Sequence, residues 1–182
     1  VMLSETEEGL QNLLKTLERF CNTNKLLINT DKAKCMTFNK TGRLLRRSFF
    51  INGHLLDNVR SYKYLGFILT PSGEIRSGLQ DLRDRALKAI MKIKNDMGFF
   101  FKQDIITSMH LIDSLVKPIL LYCGDFWGCL KMPKNNPIEN LHMIMCKHIL
   151  GVQKQTTIIG VFLELGKVPI HFEAVKFSVK NW

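Results

Sequence analysis

Tyr62-Lys63-Tyr64-Leu65-Gly66 holds the most chemically suggestive spacing in this 182-residue chain: two phenols and an ammonium group directly before a glycine and an apolar stretch. A glycine there permits a tight bend between two strands and leaves backbone and aromatic edges open to a ligand. A second concentration of reactive side chains is Cys123, Cys129, His142, Cys146 and His148. Thiolates and imidazoles are zinc ligands. Their spacing matches no common finger, however, and Cys146 and His148 lie too close on one helix for both to ligate easily. These residues are read instead as core. Carboxylate chemistry is sparse: Asp31 and Asp57 are the only aspartates before Gly73, and neither belongs to a paired motif. Asp31 reads as the cap of a turn over Thr30 to Lys32.

The elements that must position these groups follow from periodicity and punctuation. Ser4 and Glu7 suggest a capping box, and Leu10, Leu13, Leu14, Leu17, Phe20 and Cys21 recur at helical spacing, which predicts an amphipathic helix over about 5–23. Leu26 to Asn29, Ala33 to Phe38 and Tyr62 to Leu69 read as strands. Asn52-Gly53 between Phe49-Phe50-Ile51 and His54-Leu55-Leu56 predicts a hairpin with a type I′ turn. Lys40 to Arg47 is a basic loop. Thr70-Pro71-Ser72-Gly73 is a turn cluster, and helical signals replace strand signals after it. Ile75, Leu79, Leu82, Ala86, Ala89, Ile90, Ile93 and Met97 mark one long helix with Gly98 as its C-cap. Asp104 to Trp127 contains a second, interrupted at Pro118. Asn136, Pro137 and Glu139 open a third that Gly151 closes, and Gly166 to Pro169 separates two shorter ones.

Composition bounds the function classes. Hydrophobic residues make up 46% and charged residues 23%, enough for a core and inconsistent with disorder. Lys and Arg outnumber Asp and Glu by 26 to 16, a net charge of +10. Such a balance points to a polyanionic partner, the alternative being a basic protein that binds none. An odd number of cysteines without a CxxC pair suits a reduced, intracellular setting, nuclear or cytoplasmic, better than a disulfide framework. No run approaches the length of a membrane span, and no signal peptide is visible.

Leu26 to Phe38 (LLINTDKAKCMTF) followed by Val59 to Gly73 (VRSYKYLGFILTPSG) resembles the end of the palm of reverse transcriptases from non-LTR retrotransposons, the long interspersed elements. The resemblance continues through Leu115 to Tyr122 with Trp127-Gly128, Ile149 to Val152, and Leu163 to Ile170. It covers nearly the whole chain. No Tyr-Ala-Asp-Asp sequence occurs, and Val1 to Ser4 resembles the strand leaving that motif, so the chain is expected to begin just after the active site.

The fold implied is α+β: an incomplete palm-like β-sheet with a helix over 1–72, including the primer grip, then an all-α thumb-like bundle with a post-thumb region over 73–182. The resemblance puts Lys32 and Lys34 beside the incoming triphosphate, where a lysine can neutralise charge or protonate the leaving pyrophosphate; an exposed turn lysine is the plain alternative. Tyr64, Leu65 and Gly66 correspond to the primer grip, which holds the primer 3′ end by backbone and apolar contact, unless this is an ordinary strand with Tyr64 in the core. Arg76, Arg83, Arg85, Lys88, Lys92 and Lys94 lie where the thumb's first helix tracks the template–primer duplex. Alternatively they form a solvated face with pairs such as Asp81–Arg85 and Asp84–Lys88.

Implied partners are an RNA template, a DNA primer, and the missing N-terminal palm and fingers. The parent polymerase would use Mg²⁺; this chain supplies no catalytic carboxylate and no metal ligand, and should not polymerise alone. Two other readings are a non-enzymatic nucleic-acid-binding remnant and a structural helical interaction domain.

Overall fold

The computed structural model describes residues 1–97 and 104–180. It is an α+β arrangement of short strand pairs and helices, in two compact units: Val1–Tyr62 with Thr70–Glu74, and Lys63–Leu69 with Ile75–Trp182. Lys63–Leu69 therefore packs with the helices, although it precedes the turn cluster that punctuates the sequence.

In the first unit, helix α1 (Glu7–Thr23) starts two residues later than a Ser4 capping box requires. Thr6 is the N-cap, its hydroxyl accepting from Gly9 N at 3.1 Å, while Ser4 folds back onto Thr6. Glu7 instead reaches Arg47 at 3.1 Å. Leu14 and Cys21 turn inward as the periodicity requires. Strands β1 (Lys34–Cys35), β2 (Phe50–Ile51), β3 (His54–Leu55) and β4 (Asp57–Asn58) are each two residues long.

β2 and β3 pair antiparallel in the register Ile51 with His54. Asn52 and Gly53 take φ +48° and +74°, the type I′ geometry that matches strand twist. β1 and β4 pair parallel, Lys34 opposite Asp57. The Gln11 side chain closes the helix onto β2, donating to the Phe50 carbonyl at 2.8 Å and accepting from its N–H at 3.0 Å. Leu14, Cys35, Phe49, Ile51 and Leu56 form the buried cluster beneath.

Three strand expectations fail here. Val1 to Ser4 and Leu26 to Asn29 carry no strand, and Leu26 and Leu27 lie exposed. Ala33 to Phe38 yields only β1. In place of one palm-like sheet, the described strands form separate two-stranded pairs. The turn before β1 is held by Asn29, whose Oδ1 accepts from Lys32 N at 3.0 Å, so Asn29 caps it and Asp31 does not.

In the second unit, β5 (Tyr62–Tyr64) and β6 (Phe67–Leu69) replace the single strand read over 62–69. Helix α2 (Arg76–Met97) buries Leu79, Leu82, Ala86 and Ile93, as its apolar spacing predicts; the Gly98 cap lies outside the described residues. The region around Pro118 breaks into α3 (Ile105–Leu111), a π-helical turn (Ile112–Val116), α4 (Lys117–Leu120) and α5 (Gly124–Trp127). Pro118 has no N–H and would clash with the carbonyl one turn back, and the widened turn before it gives the chain room.

Helix α6 (Pro137–Leu150) starts at Asn136, whose side chain accepts from Ile138 N, and closes at Gly151. Helices α7 (Ile158–Leu165) and α8 (Ile170–Lys180) flank the Gly166 to Pro169 link. α8 meets α5 backbone to backbone: a Cβ on Gly128 would lie 2.6 Å from the Ala174 carbonyl carbon. Ser178 there donates to the Gly124 and Asp125 carbonyls. Trp127, Leu120, Ile138 and Ile170 are wholly buried at the centre of this unit.

Candidate nucleic-acid interface

Leu65 and Gly66 form the two-residue turn between β5 and β6, with φ +44° and +82°. Both central residues of a type I′ turn need positive φ, which glycine takes freely and leucine only under constraint. The constraint comes from α2 and from the segment after α4. Arg85 Nη2 donates to the Gly66 carbonyl at 2.8 Å, and the Tyr122 hydroxyl donates to the Leu65 carbonyl. Tyr122 is fixed in turn, its carbonyl accepting from the buried Trp127 Nε1 at 2.9 Å. The Arg85 guanidinium sits 5.5 Å from the Tyr122 ring centre, a cation–π distance.

An acidic anchor completes the clamp. Asp81 lies 2.9 Å from Arg85 and 3.1 Å from Lys63 on β5. Phe67 behind the turn is buried edge-to-face against Phe126, with ring centres 5.8 Å apart, and it presses on Gly78 so closely that a Cβ there would collide with the ring. The turn is thus held rigidly while its tip stays open: Leu65 is 70% and Tyr64 39% exposed. Tyr64 does not enter the core.

The cations of α2 do not share one face. Arg76, Arg83 and Lys94 stand seven and eleven residues apart, close to whole turns at ~3.6 residues each, and form one row. Arg85, Lys88 and Lys92 form another, on the side that carries the turn. Arg85 is spent on the clamp, and Arg83 pairs with Asp84 at 3.1 Å. The Asp81–Arg85 pair forms as expected. Asp84 does not meet Lys88 and takes Gln80 and Arg83 instead. Arg76, Lys88, Lys92 and Lys94 are exposed and make no ion pair among the described residues.

Lys32 and Lys34 belong to the other unit. Lys32 is exposed at the Asn29 turn, and Lys34 is paired across β1 and β4 with Asp57 at 2.7 Å. Of the Cys/His set, His142 and Cys146 are buried neighbours on α6, with Nε2 and Sγ 3.6 Å apart, whereas Cys129 and His148 are exposed. Burial lowers the His142 imidazole to about 4 and raises the Cys146 thiol to about 11, which keeps both uncharged at neutral pH. Among the described residues no group of three His, Cys, Asp or Glu side chains could hold a metal ion. No helix among them is long and apolar enough to cross a membrane.

Over 147 residues the chain is 26% identical to the RNA-directed DNA polymerase from mobile element jockey of Drosophila funebris. That likeness relates the chain to a reverse transcriptase. The match covers 81% of this chain and 16% of that protein, so the chain spans a small part of the relative's length. No family model matches the chain, and no solved structure does.

Tyr122 is the site residue that sequence reasoning left without a role. Its partner Leu65 is 57 residues away, and no local pattern announces such a pairing.

Proposed function

We propose that this chain is the C-terminal palm and thumb portion of the reverse transcriptase of a non-LTR retrotransposon, and that it positions the template–primer duplex. The clamped Leu65-Gly66 turn carries this reading. Two long-range hydrogen bonds hold an otherwise strained turn, and it presents to solvent an apolar tip beside a tyrosine edge. A primer 3′ end needs such a support, because alignment of the attacking hydroxyl is lost with a displacement of about 1 Å. Tyr64 and Leu65 provide the contact, and Gly66 lets the backbone approach.

Lys88 and Lys92, on the same side of α2 as the turn, neutralise duplex phosphates without reading bases. Lys32, exposed on its turn, has the reach and charge for a triphosphate; Lys34 shares that role less readily, because Asp57 already holds it. Catalytic aspartates and their Mg²⁺ come from elsewhere in the parent polymerase. The likeness to the jockey polymerase supports the general kind.

A photo-crosslinking residue at position 65 tests the grip. On an RNA–DNA duplex, crosslinks should map to the last nucleotides of the primer strand. Crosslinks confined to the template, or absent while the duplex stays bound, contradict it.

A further inference from the structure

In the helical unit, Lys117, Lys167, Glu173, Lys176, Phe177 and Lys180 line a cleft of about 420 Å³ between α4, the link before α8, and α8 itself. Two of its lysines are fixed by carboxylates: Lys117 lies 2.5 Å from Glu173 and 3.9 Å from Asp113, and Lys167 is bound to Asp113. Lys176 and Lys180 are exposed and make no ion pair among the described residues. Four lysines against two carboxylates leave the wall net positive. Lys176 and Lys180 also stand four residues apart on one helix, a like-charge spacing that disfavours the helix unless an anion lies between them. Phe177, 47% exposed, lines the same cleft with an open aromatic surface.

We infer that this cleft binds a single-stranded nucleic acid, its phosphates on Lys176 and Lys180 and one base stacked on Phe177. Cations beside an open aromatic face are the pairing that sequence-tolerant single-strand sites use. A duplex fits poorly, since its bases are already stacked and offer Phe177 no face. The cleft's volume also falls in the range of small-ligand pockets, room for about one nucleotide. This inference deepens the nucleic-acid reading above and adds a second contact surface to it, for a strand before or after it enters the duplex.

The test uses the full chain with labelled oligo(U) and oligo(dT), read by fluorescence anisotropy across a salt series, with an RNA–DNA duplex measured in parallel. Lys176→Ala/Lys180→Ala should weaken strand binding about tenfold and flatten the salt slope by about 1.4, two phosphates at ~0.7 each. Phe177→Ala should weaken it at least about fivefold with the slope unchanged. All three side chains are exposed, and circular dichroism checks that the variants fold. Strand binding that is absent, or indifferent to these variants, overturns the cleft assignment and leaves the duplex reading standing. Binding that survives Phe177→Ala, yet is displaced by millimolar inorganic phosphate, marks a general anion site and overturns the strand. Strand binding at the cleft without duplex binding supports the cleft and sinks the duplex reading alone.

Discussion

The Tyr122 hydroxyl donates to the Leu65 carbonyl across 57 residues of sequence, and the same ring closes over Gly66: a Cβ added there would lie 3.1 Å from its Cε1. One side chain therefore sets both the hydrogen bonding and the clearance of the turn.

Gly66→Ala should destabilise the helical unit by about 1–3 kcal/mol, because alanine is strained at φ +82° and its methyl meets the Tyr122 ring. Tyr122→Phe removes only the hydrogen bond and should cost about 1 kcal/mol. Urea midpoints measure both. A neutral Gly66→Ala would show that the ring does not close on the turn.

Arg85→Ala leaves the Gly66 carbonyl without its donor and the half-buried Asp81 with Lys63 alone, and should cost about 2 kcal/mol. Arg76→Ala, exposed and without an ion pair among the described residues, should change stability by less than about 0.5 kcal/mol. Equal effects would mean that Arg85 is as solvated as its neighbours and that no clamp exists.

His142 is 5% exposed, stacked on Phe162 at a centre distance of 5.4 Å, and burial lowers it from 6.5 to about 4. Glu173 and Asp113 pull its pKa upward and Lys117 and Lys167 downward, and burial outweighs all four. Between those pH values the unfolded chain binds the proton and the folded chain does not. Its contribution is thus intact above about pH 6.5 and is lost as pH falls toward 4, by about 3 kcal/mol at most. Urea unfolding at neutral and mildly acidic pH should show the native chain losing more stability on acidification than His142→Leu. Equal losses would remove His142 as the cause.

The contact division predicts where the chain can be cut. A fragment of residues 63–182 keeps Phe67 against Phe126 and Gly66 on Arg85, whereas 74–182 loses both. The longer fragment should melt several degrees higher by circular dichroism. Coincident melts would show that the β5–β6 hairpin adds nothing to the helical unit.

Legibility in the sequence followed the range of the interaction. Asn136, Pro137 and Gly151 bound α6 because caps act within one turn, and Asn52-Gly53 set its hairpin because type I′ geometry is local. The spacing of Leu79, Leu82, Ala86 and Ile93 gave the buried stripe of α2. Strands of two or three residues are too short for alternation to announce, so Leu26 to Asn29 reads as a strand that does not form, and only Gly66 marks the bend within the otherwise strand-like Tyr62 to Leu69. The α2 cations looked like one face, because counting charges does not show which of them a distant carbonyl recruits. Arg85 turned inward to Gly66, and the hydroxyl partner of Leu65 lay far along the chain.

We propose that a template–primer duplex lies along the side of α2 that carries the clamped turn. The most direct test is the salt dependence of RNA–DNA duplex binding for the native chain, for Lys88→Ala/Lys92→Ala and for Arg76→Ala/Lys94→Ala. Binding should weaken steeply with salt, and loss of Lys88 and Lys92 should flatten the slope by about 1.8, two phosphates at ~0.9 each. Loss of Arg76 and Lys94, on the other row, should change it by less than half as much. A duplex that does not bind, or a slope that Lys88→Ala/Lys92→Ala leaves unchanged, contradicts the account.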